Sequence, residues 1–237
     1  MPSLGLGTKT TNSGLITPGI VTDNLVLKHN YNAGRVVPVS DGAAFFDGTD
    51  DYIQIGAKPV DTADATYVYW KNCSESGYNR VVFSHGDANK GGFTVNHHTT
   101  SKPLLYLNSS LYQYWDDVPA QDDGKWHHWA VVVDVDDMTA CKLYVDGALQ
   151  TQGARSTSGV ASAYENLRLG RGDSEYWEGY MCNFGVWSGH LTQPQIKSIM
   201  NKNYARLTDS EKTNLVSWWN LSADANDSHG SNNGTLS

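Results

Sequence analysis

The sequence is poor in charge, and most of the charge it has is negative. Charged residues make up 18% of the 237 residues, with 17 Lys and Arg against 25 Asp and Glu, which gives a net charge of −8. No cluster of Lys and Arg is present, and binding to phosphates needs a basic surface. Nucleic acid is therefore not a predicted partner. No apolar run reaches the length of a transmembrane helix, so a membrane is not predicted as a partner either.

Cysteine is also scarce. The three thiols, Cys73, Cys141 and Cys182, are odd in number and lack the spacing of metal ligands, which predicts buried free thiols. Residues 1–7 have neither the basic start nor the apolar core of a secretory signal peptide. Both absences predict a chain that is made and folded in a reducing cytoplasm.

Aromatic residues and glycine are plentiful by comparison. Aromatics are 11% of the chain and there are 23 Gly, a composition typical of many short strands joined by tight turns rather than of a helical bundle. Strand-like runs recur about every ten residues, so we predict roughly a dozen strands in one all-β domain of two sheets.

The central stretch, residues 124–153, shows the strand pattern most clearly. Because neighbouring side chains on a strand point to opposite faces, its alternating apolar residues share one face. These residues are Trp129, Val131, Val133, Cys141, Leu143 and Val145. Asp146-Gly147 predicts a two-residue hairpin turn, and a third strand is expected at residues 148–152. The stretch predicts a three-stranded meander with one buried face.

Two short helices are predicted near the C-terminus. Thr192 is a candidate N-cap and Pro194 fits the first turn. The apolar stripe of this helix is Ile196, Ile199 and Met200. Thr208 and Glu211 have the spacing of a capping box, which predicts a second, shorter helix.

Three segments of the chain resemble a known family. They are residues 124–131 with 143–147 (GKWHHWAV and LYVDG), residues 45–53 (FFDGTDDYI) and residues 179–187 (GYMCNFGVW). In order and spacing they resemble the laminin-G-like branch of the concanavalin A-like lectin/glucanase superfamily, over residues 23–205. The resemblance implies an all-β jelly-roll β-sandwich of two antiparallel sheets with one or two short C-terminal helices. The layout is also similar to laminin-G-like virion proteins of marine tailed phages.

The two ends of the chain are predicted to contact partners. Residues 1–22 are rich in Gly, Thr and Ser, which predicts either a disordered tail or an extended N-terminal arm that orders against a neighbouring subunit. Its candidate anchors on a neighbouring subunit are Leu4, Leu6, Leu15, Ile16 and Ile20. In the extension at residues 206–237, a segment with Trp218 and Trp219 echoes the first predicted strand at residues 24–27. The echo is a remnant, an extra strand on its own sandwich, or a strand given to a neighbour.

The sequence lacks the carboxylate pattern of the superfamily's glucanases. Those enzymes carry a Glu-x-Asp-x-x-Glu strand motif, since hydrolysis with retention needs two carboxyls about 5 Å apart. No Glu of this chain stands in such a motif, so an enzyme is not predicted. Calcium is a possible ion, because relatives bind it through loop Asp and Asn; its ligands here are left open among the acidic turns.

The candidate glycan ligands are aromatic residues beside polar loops. A sugar presents apolar C–H faces and hydroxyl edges, so a site needs a flat ring with polar groups nearby. The predicted residues are His85, Asp87, Asn89, Tyr112, Trp115, Arg171, Asp173 and Trp177. The alternative is that these aromatics fill the core or an intersubunit contact.

The predicted function is a non-enzymatic structural and adhesion module on the surface of a virus particle, such as a capsid decoration or fibre protein. It would contact other virion subunits through the arm and the C-terminal strand, form a homo-oligomer and bind cell-surface glycans weakly. The alternative is a carbohydrate-binding lectin module of an extracellular bacterial protein, and a glycan hydrolase is a distant third.

Overall fold

Two antiparallel sheets form the body of the protein. The structure, a computed structural model, describes residues 38–73, 80–86, 91–95, 102–116, 118 and 122–237, and all of these belong to one compact unit. The predicted arm with its anchors Leu4, Leu6, Leu15, Ile16 and Ile20, and the predicted strand at residues 24–27, lie outside the described residues. The all-β sandwich of two antiparallel sheets is confirmed.

Fifteen strands lie within the described ranges. In chain order they are β1 (Ala44–Asp47), β2 (Ile53–Ile55), β3 (Ala65–Asn72), β4 (Arg80–His85), β5 (Gly92–Val95), β6 (Leu104–Asn108), β7 (Leu111–Asp116), β8 (Trp126–Val133), β9 (Lys142–Val145), β10 (Ala148–Leu149), β11 (Thr151–Thr157), β12 (Leu167–Leu169), β13 (Glu178–Ser188), β14 (Leu215–Trp219) and β15 (Gly234–Leu236). The seven-stranded sheet has the order β1-β13-β3-β8-β9-β10, with β14 also paired to β13. The eight-stranded sheet has the order β11-β7-β6-β5-β4-β12-β2-β15.

The predicted meander is present, but both of its faces are buried. Trp129, Val131 and Leu143 face the core between the sheets, as their alternation predicts. The opposite face was expected to meet solvent. Instead Val132 and Tyr144 belong to a second apolar cluster that lies under the C-terminal helix. A strand buried on both faces still alternates between two apolar sets, so the pattern alone could not show the second layer.

The prediction of one third strand at residues 148–152 of the meander was wrong. Residues 148–152 do not form one strand: β10 ends at Leu149, and β11 begins at Thr151 in the other sheet. There β11 pairs with β7, with Thr151 opposite Asp116. A change of sheet keeps the backbone extended, so strand-forming residues continue through it without any local signal.

One of the two predicted helices is a helix. Helix α1 (Gln193–Ile199) begins after Thr192, which forms a capping box with Gln195. The second predicted helix does not form, although its capping box does. The Thr208 amide donates to Oε2 of Glu211 at 2.9 Å, and the Glu211 amide donates to Oγ1 of Thr208 at 3.3 Å. The residues that follow form turns, and Asn214, with a φ of 62°, ends them at the start of β14.

The C-terminal extension is part of the sandwich. Strand β14 pairs with β13 and β15 pairs with β2, so the echo of the first strand is an extra strand on its own sandwich. The prediction that Trp218 and Trp219 contact a partner was wrong, because they are 2% and 0% exposed. Trp218 lies against Trp187 and Trp219 against Phe184, with ring centroids 5.9 and 6.0 Å apart.

The burial of the thiols agrees with the expectation from the sequence. Cys73, Cys141 and Cys182 are all buried, and none of them forms a disulfide. No helix among the described residues is both long and apolar enough to span a bilayer.

Candidate functional site

Three of the predicted glycan ligands are buried in the core. His85, Trp115 and Trp177 are 1%, 0% and 0% exposed, so none can present a ring to a sugar. The His85 ring shares a hydrogen bond of 2.7 Å with the Tyr67 hydroxyl, and the Trp177 ring lies 5.5 Å from Phe46. These three assignments were wrong, because inward strand positions look the same in the sequence as outward positions when both hold aromatics. Asp87 and Asn89 lie outside the described residues.

Tyrosines from two adjacent strands lie on the outer face of the eight-stranded sheet, which we call the front face. On β6 the core residues Leu105 and Leu107 flank Tyr106, so Tyr106 points outward. On β7 Tyr112 and Tyr114 alternate with buried neighbours in the same way. Tyr106 lies opposite Tyr112 in the strand register, and the Tyr112 and Tyr114 rings are 5.4 Å apart. The three rings therefore form a tyrosine group on one surface.

The loop at residues 170–177 folds over the front face beside the tyrosines. The Ser84 hydroxyl of β4 donates to the Arg171 carbonyl at 2.7 Å. A side chain at Gly172 would meet Val81 at 2.8 Å, so glycine lets the loop approach the sheet closely. The Arg168 guanidinium of β12 donates to the Gly172 carbonyl at 3.4 Å. These contacts hold the loop against β4 and β12.

Two carboxylates of this loop influence Tyr106. Burial, together with the negative charges of Glu175 and Asp173, raises the pKa of the Tyr106 hydroxyl. Tyr106 thus stays a neutral donor and acceptor next to two acceptor groups. Asp173 and Glu175 therefore act on Tyr106 through their charge, and Tyr106 lies opposite the predicted ligand Tyr112 in the strand register.

Arg171 stacks between two further tyrosines at the other side of the loop. Its guanidinium carbon lies 4.7 Å from the Tyr52 ring centroid and 5.3 Å from that of Tyr176. Its Nε and Nη2 atoms donate to the Asp173 carbonyl at 3.4 Å. The charge is held in place by cation–π contacts, each typically worth about 0.5–2 kcal/mol. Arg171 and Asp173 are therefore in contact within this loop; their role as glycan ligands stays a prediction.

The front face suits a ligand with apolar faces and hydroxyl edges. The tyrosine rings offer flat apolar surface, the carboxylates of Asp173 and Glu175 accept hydrogen bonds, and Arg171 donates them. Sequence reasoning missed Tyr106 and Glu175. Alternation in residues 104–108 puts Tyr106 outward, but only the pairing of β6 with β7 places it beside Tyr112.

A second group of aromatics is exposed on the outer face of the seven-stranded sheet. Phe45 and Tyr180 are 53% and 46% exposed, and their ring centroids are 4.9 Å apart. The Trp126 ring lies 6.5 Å from Tyr180. Residues Phe45, Tyr180, Asn72 and Trp126 stand in one row across β1, β13, β3 and β8. We call this row the back patch; none of its residues was a predicted site residue.

The acidic turn after β1 does not resemble a calcium cage. Asp47, Asp50 and Asp51 can bring three carboxylate oxygens within 4.8 Å of one another. The Asp47 Oδ1 atom, however, accepts the backbone amide of Thr49 at 2.8 Å, and the Asp51 Oδ2 atom accepts that of Asp47 at 3.1 Å. These contacts are those of an Asx turn, in which the carboxylates cap the backbone. Calcium binding stays a prediction without assigned ligands.

Comparisons with known proteins agree on the fold. The chain is similar to a protein of Bacteroides ovatus named as a candidate carbohydrate-binding protein, with 17% identity and a TM-score of 0.60, over 82% of this chain and 57% of that one. It is similar to a heptameric SAP-like pentraxin of Limulus polyphemus, with 15% identity and a TM-score of 0.56, over 85% of this chain and 96% of that one. A search of curated proteins found no match.

A third structure was solved with a sugar. Domain 4 of an extracellular arabinanase of Geobacillus stearothermophilus, in complex with arabinotriose, is 19% identical, with a TM-score of 0.51, over 67% of this chain and 76% of that one. At such identities these likenesses show the fold. The sequence profile of the Laminin_G_3 family, described as concanavalin A-like lectin/glucanases superfamily, matches residues 47–197. That match spans well over half of the chain, which therefore belongs to this laminin-G family of the concanavalin A-like lectin/glucanases superfamily.

Proposed function

We propose that the protein is a non-enzymatic carbohydrate-binding module and that the front face is its binding surface. The observation that carries the proposal is the tyrosine group of Tyr106, Tyr112 and Tyr114 on one face of the sheet, beside a loop whose carboxylates, Asp173 and Glu175, act on Tyr106 through their charge. Rings of this kind stack on the C–H faces of a sugar, and carboxylates accept hydrogen bonds from its hydroxyls. The arabinotriose-bound neighbour and the candidate carbohydrate-binding protein support the proposal, since they share the fold.

The charges of the front face favour a neutral glycan. Asp173 and Glu175 both act on Tyr106 through their negative charge. The nearby cations are engaged elsewhere, since Arg171 is stacked on Tyr52 and Tyr176 and Arg168 donates to the Gly172 carbonyl. An anionic sugar would meet two like charges, which destabilises binding. We therefore propose neutral, hydroxyl-rich oligosaccharides rather than uronic or sialic acid polymers as the ligand class.

Substitutions on the front face are expected to weaken glycan binding about tenfold each. Tyr112→Ala removes a stacking ring, and Asp173→Asn removes a charged acceptor while keeping the backbone carbonyl that Arg171 uses; losses of about 1–2 kcal/mol correspond to roughly tenfold. The measurement is a screen of neutral arabino-, gluco- and galacto-oligosaccharides, followed by titration calorimetry of the best ligand. Tyr180→Ala on the back patch is the matched control, because it removes an exposed tyrosine of the other sheet.

The outcomes separate the possibilities. Binding that is lost in Tyr112→Ala but kept in Tyr180→Ala supports the front face. Binding lost only in Tyr180→Ala, or no binding to any neutral oligosaccharide of the screen, contradicts the proposal.

A structural role on a virus particle is the second candidate, and the back patch is the observation that favours it. Aromatic side chains are enriched at protein interfaces. Phe45 and Tyr180 are exposed and in ring contact, and the half-buried Trp126 lies beside Tyr180. A module of this kind would sit on the virion surface and contact other subunits or a second copy of itself. Within the C-terminal extension, Trp218 and Trp219 are committed to the chain's own core and do not support this role.

If the back patch is a self-association surface, the double variant Phe45→Ser, Tyr180→Ser should be monomeric at concentrations where the wild type is not. Losing two exposed aromatic anchors removes apolar area that only an interface buries. Sedimentation velocity over a concentration series is the measurement. A wild type that is monomeric throughout, with residues 1–237 intact, argues against self-association.

A further inference from the structure

Three side chains from distant parts of the sequence meet at one end of the seven-stranded sheet. Asp64 directly precedes β3, Asp134 directly follows β8, and His190 follows β13 by two positions. These strands are neighbours in the order β13-β3-β8, and Ala65 at the start of β3 pairs with both Ser188 and Val133. The three polar groups are therefore brought together by strand register.

Each of the two carboxylates is fixed through one oxygen and has the other directed at the histidine. The Oδ1 atom of Asp64 accepts the backbone amide of Val135 at 3.0 Å. The Oδ1 atom of Asp134 accepts the amides of Asp136 and Asp137 at 3.1 and 2.8 Å. The two Oδ2 atoms lie 3.6 and 3.7 Å from Nε2 of His190. Backbone contacts thus hold both carboxylates in place before any ligand arrives.

These separations are too long for hydrogen bonds and suit ligands of one metal ion. Hydrogen bonds between nitrogen and oxygen have lengths of about 2.7–3.2 Å. Two ligand atoms at about 2.0–2.2 Å from a tetrahedral zinc ion are roughly 3.3–3.6 Å apart. One atom each of Asp64, Asp134 and His190 can lie within 4.8 Å of both others. Nε2 of His190 also lies 3.1 Å from the Val133 carbonyl and donates a hydrogen bond to it. A bound ion would displace that proton, and a small movement of the imidazole away from the carbonyl would bring all three ligand atoms to bonding distance of a central ion.

The kinds of donor atom select the metal. An imidazole nitrogen suits zinc, nickel, copper and iron, whereas calcium and magnesium take oxygen ligands. We propose that Asp64, Asp134 and His190 form a binding site for a divalent transition-metal ion of the zinc class. The side chains are 42%, 18% and 37% exposed, so the ion can enter from solvent and water can complete its coordination.

A metal ion at this site would connect three strand ends that are far apart in the chain. The residues are separated by 70 and 56 positions, so the ion closes long loops that are open in the unfolded chain. Because the three groups converge only in the folded protein, binding stabilises the folded state by an amount that grows with the concentration of free metal. The ion would therefore act as a structural clamp, independently of glycan binding.

The test uses the full chain without a histidine tag. Titration calorimetry with Zn²⁺ is expected to give one site per chain, and Zn²⁺ should raise the melting temperature. Co²⁺ should produce the visible absorption bands of low-symmetry coordination, which report the site directly. Asp64→Asn keeps the Oδ1 contact with Val135 and removes the metal-facing carboxylate. His190→Ala removes the imidazole. Each of these two single variants should weaken Zn²⁺ binding at least a hundredfold.

The matched control is Asp50→Asn, which changes the acidic turn with Asp47 and Asp51 and should leave Zn²⁺ affinity unchanged. Zn²⁺ binding that persists in both Asp64→Asn and His190→Ala overturns the proposal. So does the absence of saturable Zn²⁺ binding by a wild type whose circular dichroism and melting transition show that it is folded.

Discussion

The free energy of unfolding is expected to fall steeply when the pH is lowered from about 6.5 to 4. In this range two buried histidines stay neutral in the folded protein but become protonated in the unfolded chain. Burial lowers the pKa of His85 to about 4 and the pKa of His128 to about 3. Both imidazoles are almost fully buried, at 1% and 2% exposed. Their neutral forms are therefore built into the folded protein.

The direction follows from proton linkage. In the unfolded chain an imidazole has a pKa near 6.5, so between pH 6.5 and 4 the unfolded state binds more protons than the folded state. Stability is therefore lost as the pH falls through this window, and fully retained above it. Each tenfold difference in proton affinity is worth about 1.4 kcal/mol, so each histidine accounts for about 3–5 kcal/mol at pH 3.

The measurement is urea unfolding at a series of pH values, with His128→Phe as the test variant. The His128 ring packs against Trp70 with centroids 5.5 Å apart, and its Nδ1 atom is buried without a partner, so phenylalanine fills the site without leaving a polar group unpaired. The variant should lose much less stability between pH 6.5 and 4 than the wild type. The control is His229→Gln, since His229 is exposed. Wild-type and His128→Phe profiles of equal slope would contradict the prediction.

The fold could be predicted from the sequence where an alternation of apolar residues is followed by residues that favour a turn or a helix cap. Leu143, Val145 and the Asp146-Gly147 turn specify the hairpin of β9 and β10 locally, and the turn has the positive φ values of 49° and 73° that its residues allow. Likewise the capping box of Thr192 and Gln195 begins helix α1 where the pattern predicts it. What these features share is that each is decided by residues close together in the chain.

Local pattern could not predict two kinds of feature. One is burial by elements that pack over the outer face of a sheet, and the other is the pairing register between strands. Alternation puts Tyr112 and Trp115 on opposite faces of β7, but nothing in the sequence says that the face of Trp115, which is 0% exposed, is the one turned to the core. Lys71 is a stronger case: it is 1% exposed and lies 4.7 Å from the Trp129 ring, although lysine is almost never expected in a core. Burial of such residues depends on what covers them.

In the candidate site, too, contacts between residues close in the chain were predictable and contacts between distant strands were not. Arg171 and Asp173 were predicted together because they are neighbours in the chain, and the structure has them in one loop. The proximity of that loop to Tyr106 depends on Gly172 and on the hydrogen bond of Ser84 to the loop, and neither contact has a signature in a single sequence. The sequence therefore located the loop, while the fold supplied its aromatic neighbours.

Replacing Trp219 by alanine is expected to destabilise the protein by about 3–5 kcal/mol, the range for removing a fully buried tryptophan. Its side chain is 0% exposed and belongs to the core between the two sheets. The indole nitrogen donates to the Asn232 carbonyl at 2.9 Å, so the substitution also leaves that carbonyl without its partner. The effect should appear as a lower urea midpoint at pH 7.

This result distinguishes an integral strand from an appended one. If residues 206–237 were an extension attached to a complete sandwich, loss of one side chain there would leave the main unfolding transition in place. Because β14 pairs along β13, at the same edge that β1 occupies further along, its loss removes core contacts and leaves part of that edge of β13 unpaired. Leu236→Ala is the control, since Leu236 is 67% exposed in the last strand and should change stability by less than about 0.5 kcal/mol. Equal, small effects of the two substitutions would mean that the extension folds apart from the body of the protein.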